Sequence, residues 1–180
     1  RTSSYVFKST EHAANLFALK ELGNIYTRIM NPTQDILEQR VAALEGGAAA
    51  LALASGTSAI YYAIINICSA GDEIVSANNL YGGTYTMFDA ILPQFDIQVK
   101  FADSRDPQSF ETAITEKTRA IFIETIGNPL LEVSDIQAFS AMAHKHNLPM
   151  IVDATFTTPH LLKSIEFGAD IVVNSLTKWM

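Results

Sequence analysis

AIFIETIGNPLLEVSDIQAFSAMAHKHNLPMIVDATFTTPHLLKSIEFGADIVVNSLTK, residues 120–178, decides the fold class. It holds three short apolar runs, AIFIE (120–124), PMIVDA (149–154) and DIVVNS (170–175). The runs are continuously apolar rather than alternating, as strands buried on both faces require. They predict an α/β domain with a mostly parallel sheet covered by helices on both faces. Ser134 and Gln137 form a capping-box pattern ahead of Ile136, Phe139 and Met142, which predicts a helix between the first two runs.

Working outward, EIVSA (73–77) and IQVKFA (97–102) read as two more buried strands, and Asp106-Pro107 opens a helix after the second. Further upstream, TQDILEQRVAALEGG carries Leu37, Val41 and Leu44 at helical spacing. Asn31 or Thr33 caps that helix and Gly46-Gly47 offers a left-handed exit. The small-residue run AAALALASGTSAIYYAIINIC then passes through Ser55-Gly56-Thr57 into a second helix. Residues 33–180 therefore read as one domain and residues 1–32 as an extended arm.

The 180 residues are 48% apolar and 17% charged, too apolar for a disordered chain. No run approaches the roughly 20 apolar residues of a membrane-spanning helix. Twelve Lys and Arg against nineteen Asp and Glu give a formal charge of −7, with no basic patch. Nucleic acid and anionic membranes need clustered cations, so neither is expected as a partner. Cys68 is the single cysteine and no Cys/His spacing suits zinc, so a reducing compartment, the cytoplasm, is expected and no metal. The four histidines lack partners at ligand spacing and read as ordinary surface or core residues.

In open parallel sheets, ligands bind outside the carboxyl ends of the strands. Here those ends supply Glu124 leading to Gly127-Asn128-Pro129, then Asp153, then Asn174-Ser175 three residues before Lys178. The Ser55-Gly56-Thr57 turn puts a helix N-terminus at a comparable place, where free N–H groups suit an anion. Each piece has a plain alternative: an Asp closing a strand also caps helices, and a lone lysine is usually solvated. Taken together with Tyr81-Gly82-Gly83 and the Tyr26-Thr27-Arg28 run, they supply what pyridoxal phosphate needs. Lys178 suits a Schiff base with the aldehyde and Asp153 suits the pyridine nitrogen. Gly56, Thr57, Ser175, Thr177, Tyr26 and Arg28 suit the phosphate, and Tyr81 suits the ring face.

The strings SYVFKSTEHAANLFALKELGNIYTRIMNPTQDILEQRVAALEGG, LASGTSAI, NNLYGGTY, ETIGNP, IVDATFTTP and GADIVVNSLTKW occur in that order. In them the chain resembles the Cys/Met-metabolism family of fold-type I pyridoxal-phosphate enzymes along essentially its whole length. The resemblance implies the large domain of such a transferase, with Lys178 as the Schiff-base lysine and Asp153 facing the ring nitrogen. It makes Tyr81 the stacking aromatic and acid/base, and Asn128 a neighbour of the ring hydroxyl. Tyr26 and Arg28 are implied to reach a neighbouring subunit's phosphate, in a homodimer or homotetramer with shared active sites.

Family members are about twice as long, so the resemblance also implies an absent C-terminal small domain carrying the arginine that grips the substrate carboxylate. Within the family, the implied activity is γ-replacement: O-acetyl-L-homoserine plus a sulfide donor giving L-homocysteine and acetate, in methionine biosynthesis. Methionine γ-lyase and cystathionine γ-synthase share every residue named. A non-catalytic sulfur-carrier partner or regulatory subunit is the reading from a different class. Leu176 and Ala154 depart from the family pattern, the first bulkier than usual and the second lacking a side-chain hydrogen bond.

Overall fold

The structure is a computed structural model and describes residues 2–180. It divides into two compact units, one running to Ala43 together with Ala48–Ala52, the other comprising Leu44–Gly47 and Leu53–Met180.

The first unit holds α1 (Thr10–Phe17) and most of α2 (Pro32–Glu45). The arm is thus not extended throughout. Ser9 caps α1 by accepting the His12 N–H, and an isolated antiparallel bridge joins Ser4 to Tyr26. Of the two caps expected for α2, Asn31 is the one used: its Oδ1 accepts the Thr33 N–H at 2.9 Å. Glu38 Oε1 accepts the Ala52 N–H at 2.8 Å and ties the returning strand of chain to α2.

The second unit is built on five strands: β1 (Glu73–Ala77), β2 (Gln98–Ala102), β3 (Thr118–Glu124), β4 (Met150–Asp153) and β5 (Ile171–Val173). Their order is β2-β1-β3-β4-β5 and every pairing among them is parallel. The chain moves one way from β1 to β2 and the other way from β3 to β5. Right-handed crossovers then place α4 (Gly82–Thr86) and α6 (Ile136–Lys145) on opposite faces. With α4 go α3 (Gly56–Ile67) and the turns Met87–Ile91 and Leu92–Phe95; with α6 goes α5 (Pro107–Ala113).

Both faces explain the continuous apolar strands. Ile121, Phe122 and Ile123 of β3 are all at 0% exposure, as are Met150, Ile151 and Val152 of β4. Phe122 meets Phe88 edge to face at 5.0 Å between ring centroids on one side, while Phe110 and Phe139 close the other at 4.7 Å. Each such buried ring contributes about 1.5–3 kcal/mol.

Two expectations on local structure are corrected. The strands after β1 are trimmed or extended by one to two residues relative to the apolar runs, since hydrogen-bond register rather than hydrophobicity sets their ends. The Ser134–Gln137 capping box does not form. Asp135 caps α6 by accepting the Ala138 N–H at 3.0 Å, because the Ser134 hydroxyl is committed to the Glu124 carbonyl at 2.7 Å. Asp106 does cap α5, accepting the Gln108 N–H at 2.9 Å.

Candidate active site

The strand order reverses direction between β1 and β3, and the carboxyl ends of β1, β3, β4 and β5 deliver the candidate residues. A short series of hydrogen bonds runs across β4 and β5. Asp153 Oδ1 accepts the Thr155 N–H at 2.9 Å, Thr155 Oγ1 accepts the Ser175 N–H at 2.9 Å, and the Ser175 carbonyl accepts the Lys178 N–H at 3.1 Å. Ser175 Oγ lies 3.1 Å from Thr177 Oγ1. The loop bearing the lysine is thereby tied to the aspartate 25 positions earlier.

The start of α3 packs onto the same loop. A Cβ placed on Gly56 would fall 2.7 Å from Ser175 Cβ, so glycine is required for this approach. Ser55 and Ser58 form a capping box in which Ser55 Oγ takes the Ser58 N–H at 3.0 Å. The cap uses the third N–H of the helix and leaves those of Gly56 and Thr57 facing outward beside the Ser175 and Thr177 hydroxyls.

Asn174, which precedes this loop, donates from Nδ2 to Glu45 Oε1 at 2.6 Å. Burial pushes the Glu45 carboxyl upward, against the opposing pull of that hydrogen bond.

Tyr81 and Asn128 gather around another strand end. Tyr81 is the N-cap residue of α4, and its N–H donates to Glu124 Oε1 at 2.7 Å. The Asn128 backbone N–H faces the same carboxyl closely enough to lower its pKa slightly. The Tyr81 ring lies over Gly83, where a Cβ would come within 2.6 Å of the ring. Gly127 permits a similar approach to Asn79, whose side-chain nitrogen would be 2.3 Å from an added Cβ.

Glu124 and Thr155 are site residues outside the expected set. Thr155 carries no sequence signal of its own and Glu124 only that of a strand end, because the partners of each depend on the pairing of strands far apart in the chain. Tyr26 and Arg28 belong to the first unit, where Arg28 Nη2 donates to the Tyr26 hydroxyl and the guanidinium sits 5.1 Å from the ring centroid.

Burial raises the Asp153 carboxyl above the ordinary carboxylate range, with the Thr155 hydrogen bond opposing. Burial likewise pushes Glu124 up to about 8; the Asp153 charge adds to this, and the Tyr81 and Asn128 N–H groups oppose it. Among the described residues neither carboxyl has an ion-pair partner. A desolvated carboxylate without a cation is costly, and a protonated heterocyclic nitrogen is a group that would offset the cost. The donor set therefore fits pyridoxal phosphate: a carboxylate for the ring nitrogen, two helix N–H groups with two hydroxyls for the phosphate, and a lysine on the same loop. Among the described residues no group of His, Cys, Asp and Glu is placed to hold a metal ion. Among the described residues no helix is long and apolar enough to cross a membrane.

The family model described as Cys/Met metabolism PLP-dependent enzyme matches residues 1–180. The chain is 54% identical over 180 residues to an O-acetyl-L-homoserine sulfhydrylase of Leptospira meyeri, covering 100% of this chain and 41% of that protein. A homocysteine synthase of Schizosaccharomyces pombe is 47% identical, over 99% of this chain and 42% of its own. A crystal structure from Campylobacter jejuni, provisionally assigned as an O-acetylhomoserine (thiol)-lyase and bearing N′-pyridoxyl-lysine-5′-monophosphate, superposes with a TM-score of 0.95. It is 42% identical over 98% of this chain and 44% of that one. The chain thus spans less than half the length of the relatives it matches.

Proposed function

The chain belongs to the Cys/Met metabolism family of PLP-dependent enzymes, and from that premise we propose that its whole protein exchanges the acetoxy group of O-acetyl-L-homoserine for sulfide, yielding L-homocysteine and acetate. The observation that carries this reading is the tie from Asp153 through Thr155 to the Ser175–Lys178 loop. It holds a half-buried carboxylate and the backbone that carries the lysine in fixed relation on neighbouring strand ends. The choice of substrate is supported by the activities for which the relatives are named.

The bound cofactor supplies an electron sink for charge left on the substrate carbon when its proton is removed. The chain's own residues do the rest. Asp153, oriented by Thr155, keeps a negative charge against the ring nitrogen so that the nitrogen holds its proton. Gly56 and Thr57 N–H groups with the Ser175 and Thr177 hydroxyls take the phosphate, and Asn128 stands at the ring hydroxyl. Lys178 anchors the aldehyde carbon and, once displaced by the substrate amine, its amine takes the Cα proton. Tyr81 covers the ring face and shields the site from water.

The reading includes a cytoplasmic homodimer or homotetramer in which Tyr26 and Arg28 serve a neighbouring subunit's phosphate. The Tyr26–Arg28 pairing, which keeps the guanidinium and hydroxyl together on one short segment, is consistent with that role.

The test compares two reactions of the full-length protein loaded with cofactor. Homocysteine released from O-acetyl-L-homoserine plus sulfide supports the proposal. Ammonia and 2-oxobutanoate released from methionine as the dominant reaction would instead assign a γ-lyase.

A further inference from the structure

We propose that Glu124 is a positioning residue for Tyr81, its carboxyl holding the start of α4 so that the phenol ring is presented at the face of the bound cofactor. This rests on the cofactor reading above and adds a residue that the reading does not use.

Tyr81 has little else to fix it. Its side chain makes no capping hydrogen bond, its ring is 50% exposed, and it is followed by Gly82 and Gly83. A Cβ on Gly82 would meet nothing within 4 Å. The Tyr85 N–H on the Tyr81 carbonyl at 2.9 Å closes the first turn of a helix only five residues long, and two glycines in that turn resist swinging weakly unless something outside the segment pins it. The 2.7 Å bond from the Tyr81 N–H to Glu124 Oε1 is that pin, made across 43 residues of sequence by a side chain only 5% exposed.

Glu124 is itself immobile. It is the last residue of β3, in register with Asp153, and its carbonyl accepts the Ser134 hydroxyl at 2.7 Å. The Asn128 N–H is near enough to oppose, weakly, the effect of burial on its carboxyl. Burial pushes this carboxyl up to about 8, which leaves it mostly protonated at neutral pH. What it offers Tyr81 is therefore an acceptor at the right reach, not a charge. The amide of Gln keeps that acceptor and that reach, whereas Asp keeps the carboxyl and falls one methylene short.

The experiment uses the full-length enzyme reconstituted with pyridoxal phosphate and compares wild type, Glu124→Gln and Glu124→Asp. It measures cofactor dissociation constants, the circular dichroism of the bound cofactor's visible band, and thermal unfolding of the apo forms. Glu124→Gln is expected to bind cofactor within about twofold of wild type with the same dichroic band. Glu124→Asp is expected to lose about tenfold in affinity and to change the band, because the part-buried N–H is left without its acceptor. In a Tyr81→Ala background, the effect of Glu124→Asp on the band should largely disappear, as coupled sites require.

Wild-type behaviour of Glu124→Asp overturns the proposal, as does a loss in Glu124→Gln equal to that in Glu124→Asp. So does a Glu124→Asp effect undiminished without the Tyr81 ring, or one that tracks unfolding of the apo protein. Failure of the wild type to take up cofactor would instead remove the reading on which the proposal stands, and it would be visible before any variant is compared.

Discussion

Glu124 and Asp153 are register partners at the carboxyl ends of β3 and β4, and burial raises both carboxyls. Two neighbouring desolvated acids without a cation cannot both ionise cheaply. The arrangement resolves if Glu124 stays protonated between the Tyr81 and Asn128 N–H groups while Asp153 takes its charge against an arriving cation.

That division of labour separates stability from function at Asp153. Asp153→Asn keeps the size of the side chain and an acceptor for the Thr155 N–H but removes the charge. We expect turnover of the full-length enzyme to fall at least about 100-fold, while the melting temperature of the apo form holds or rises because a desolvated carboxylate is gone. Steady-state kinetics and thermal unfolding read the two effects separately.

The Glu124 carboxyl makes the apo protein's stability depend on pH. Its folded value of about 8 lies above the ordinary value of 4.5, so between these the folded state keeps a proton the unfolded chain has lost. Its stabilising contribution is complete below the unfolded value and is lost as pH rises through about 8. The slope is at most about 1.4 kcal/mol per pH unit for one proton. Asp153, also raised, adds in the same direction. Urea unfolding of wild type and Glu124→Gln from pH 5 to pH 8 should show the wild type losing more stability across that range.

Gly56 allows the closest approach between α3 and the lysine loop. In Gly56→Ala, the new Cβ must push against Ser175 Cβ, 2.7 Å away. Overpacking of this kind costs about 1–3 kcal/mol of stability. It also displaces hydroxyls assigned to the phosphate, so cofactor affinity measured by titration is expected to fall by about tenfold or more.

The shared-site proposal predicts complementation. Arg28→Ala alone should weaken cofactor binding, and Lys178→Ala alone should abolish turnover. Mixed after dissociation and reassembly, the two variants should regain part of the wild-type rate, because some sites then hold an intact Lys178 and an intact Arg28. No regain in mixed oligomers contradicts sharing.

The residues legible in the sequence are those whose signal is local. β1 was readable to the residue because EIVSA holds an apolar pair, Ile74-Val75, in a short run bounded by Gly71-Asp72 and Asn78-Asn79. The α3 start was readable from Ser55-Gly56-Thr57, and α5 from Asp106-Pro107. The α6 cap was misplaced by one residue because Ser134 and Asp135 are both good caps. A long-range bond to Glu124 decides between them. The roles of Thr155 and Glu124 were illegible for the same reason, although Glu124 was readable as a strand end: their partners, Ser175 and Tyr81, are 20 and 43 residues away and are reached only through the sheet. The α1 helix was present as a Ser9 cap, but at eight residues it is too short for its apolar spacing to stand out from the arm.

Borohydride reduction of the cofactor-loaded full-length protein, followed by peptide mapping, tests the central claim most directly. The account predicts a reduced pyridoxyl adduct on Lys178 in the wild type and none at that position in Lys178→Ala. An adduct on a different lysine, or no adduct in the wild type, would contradict it.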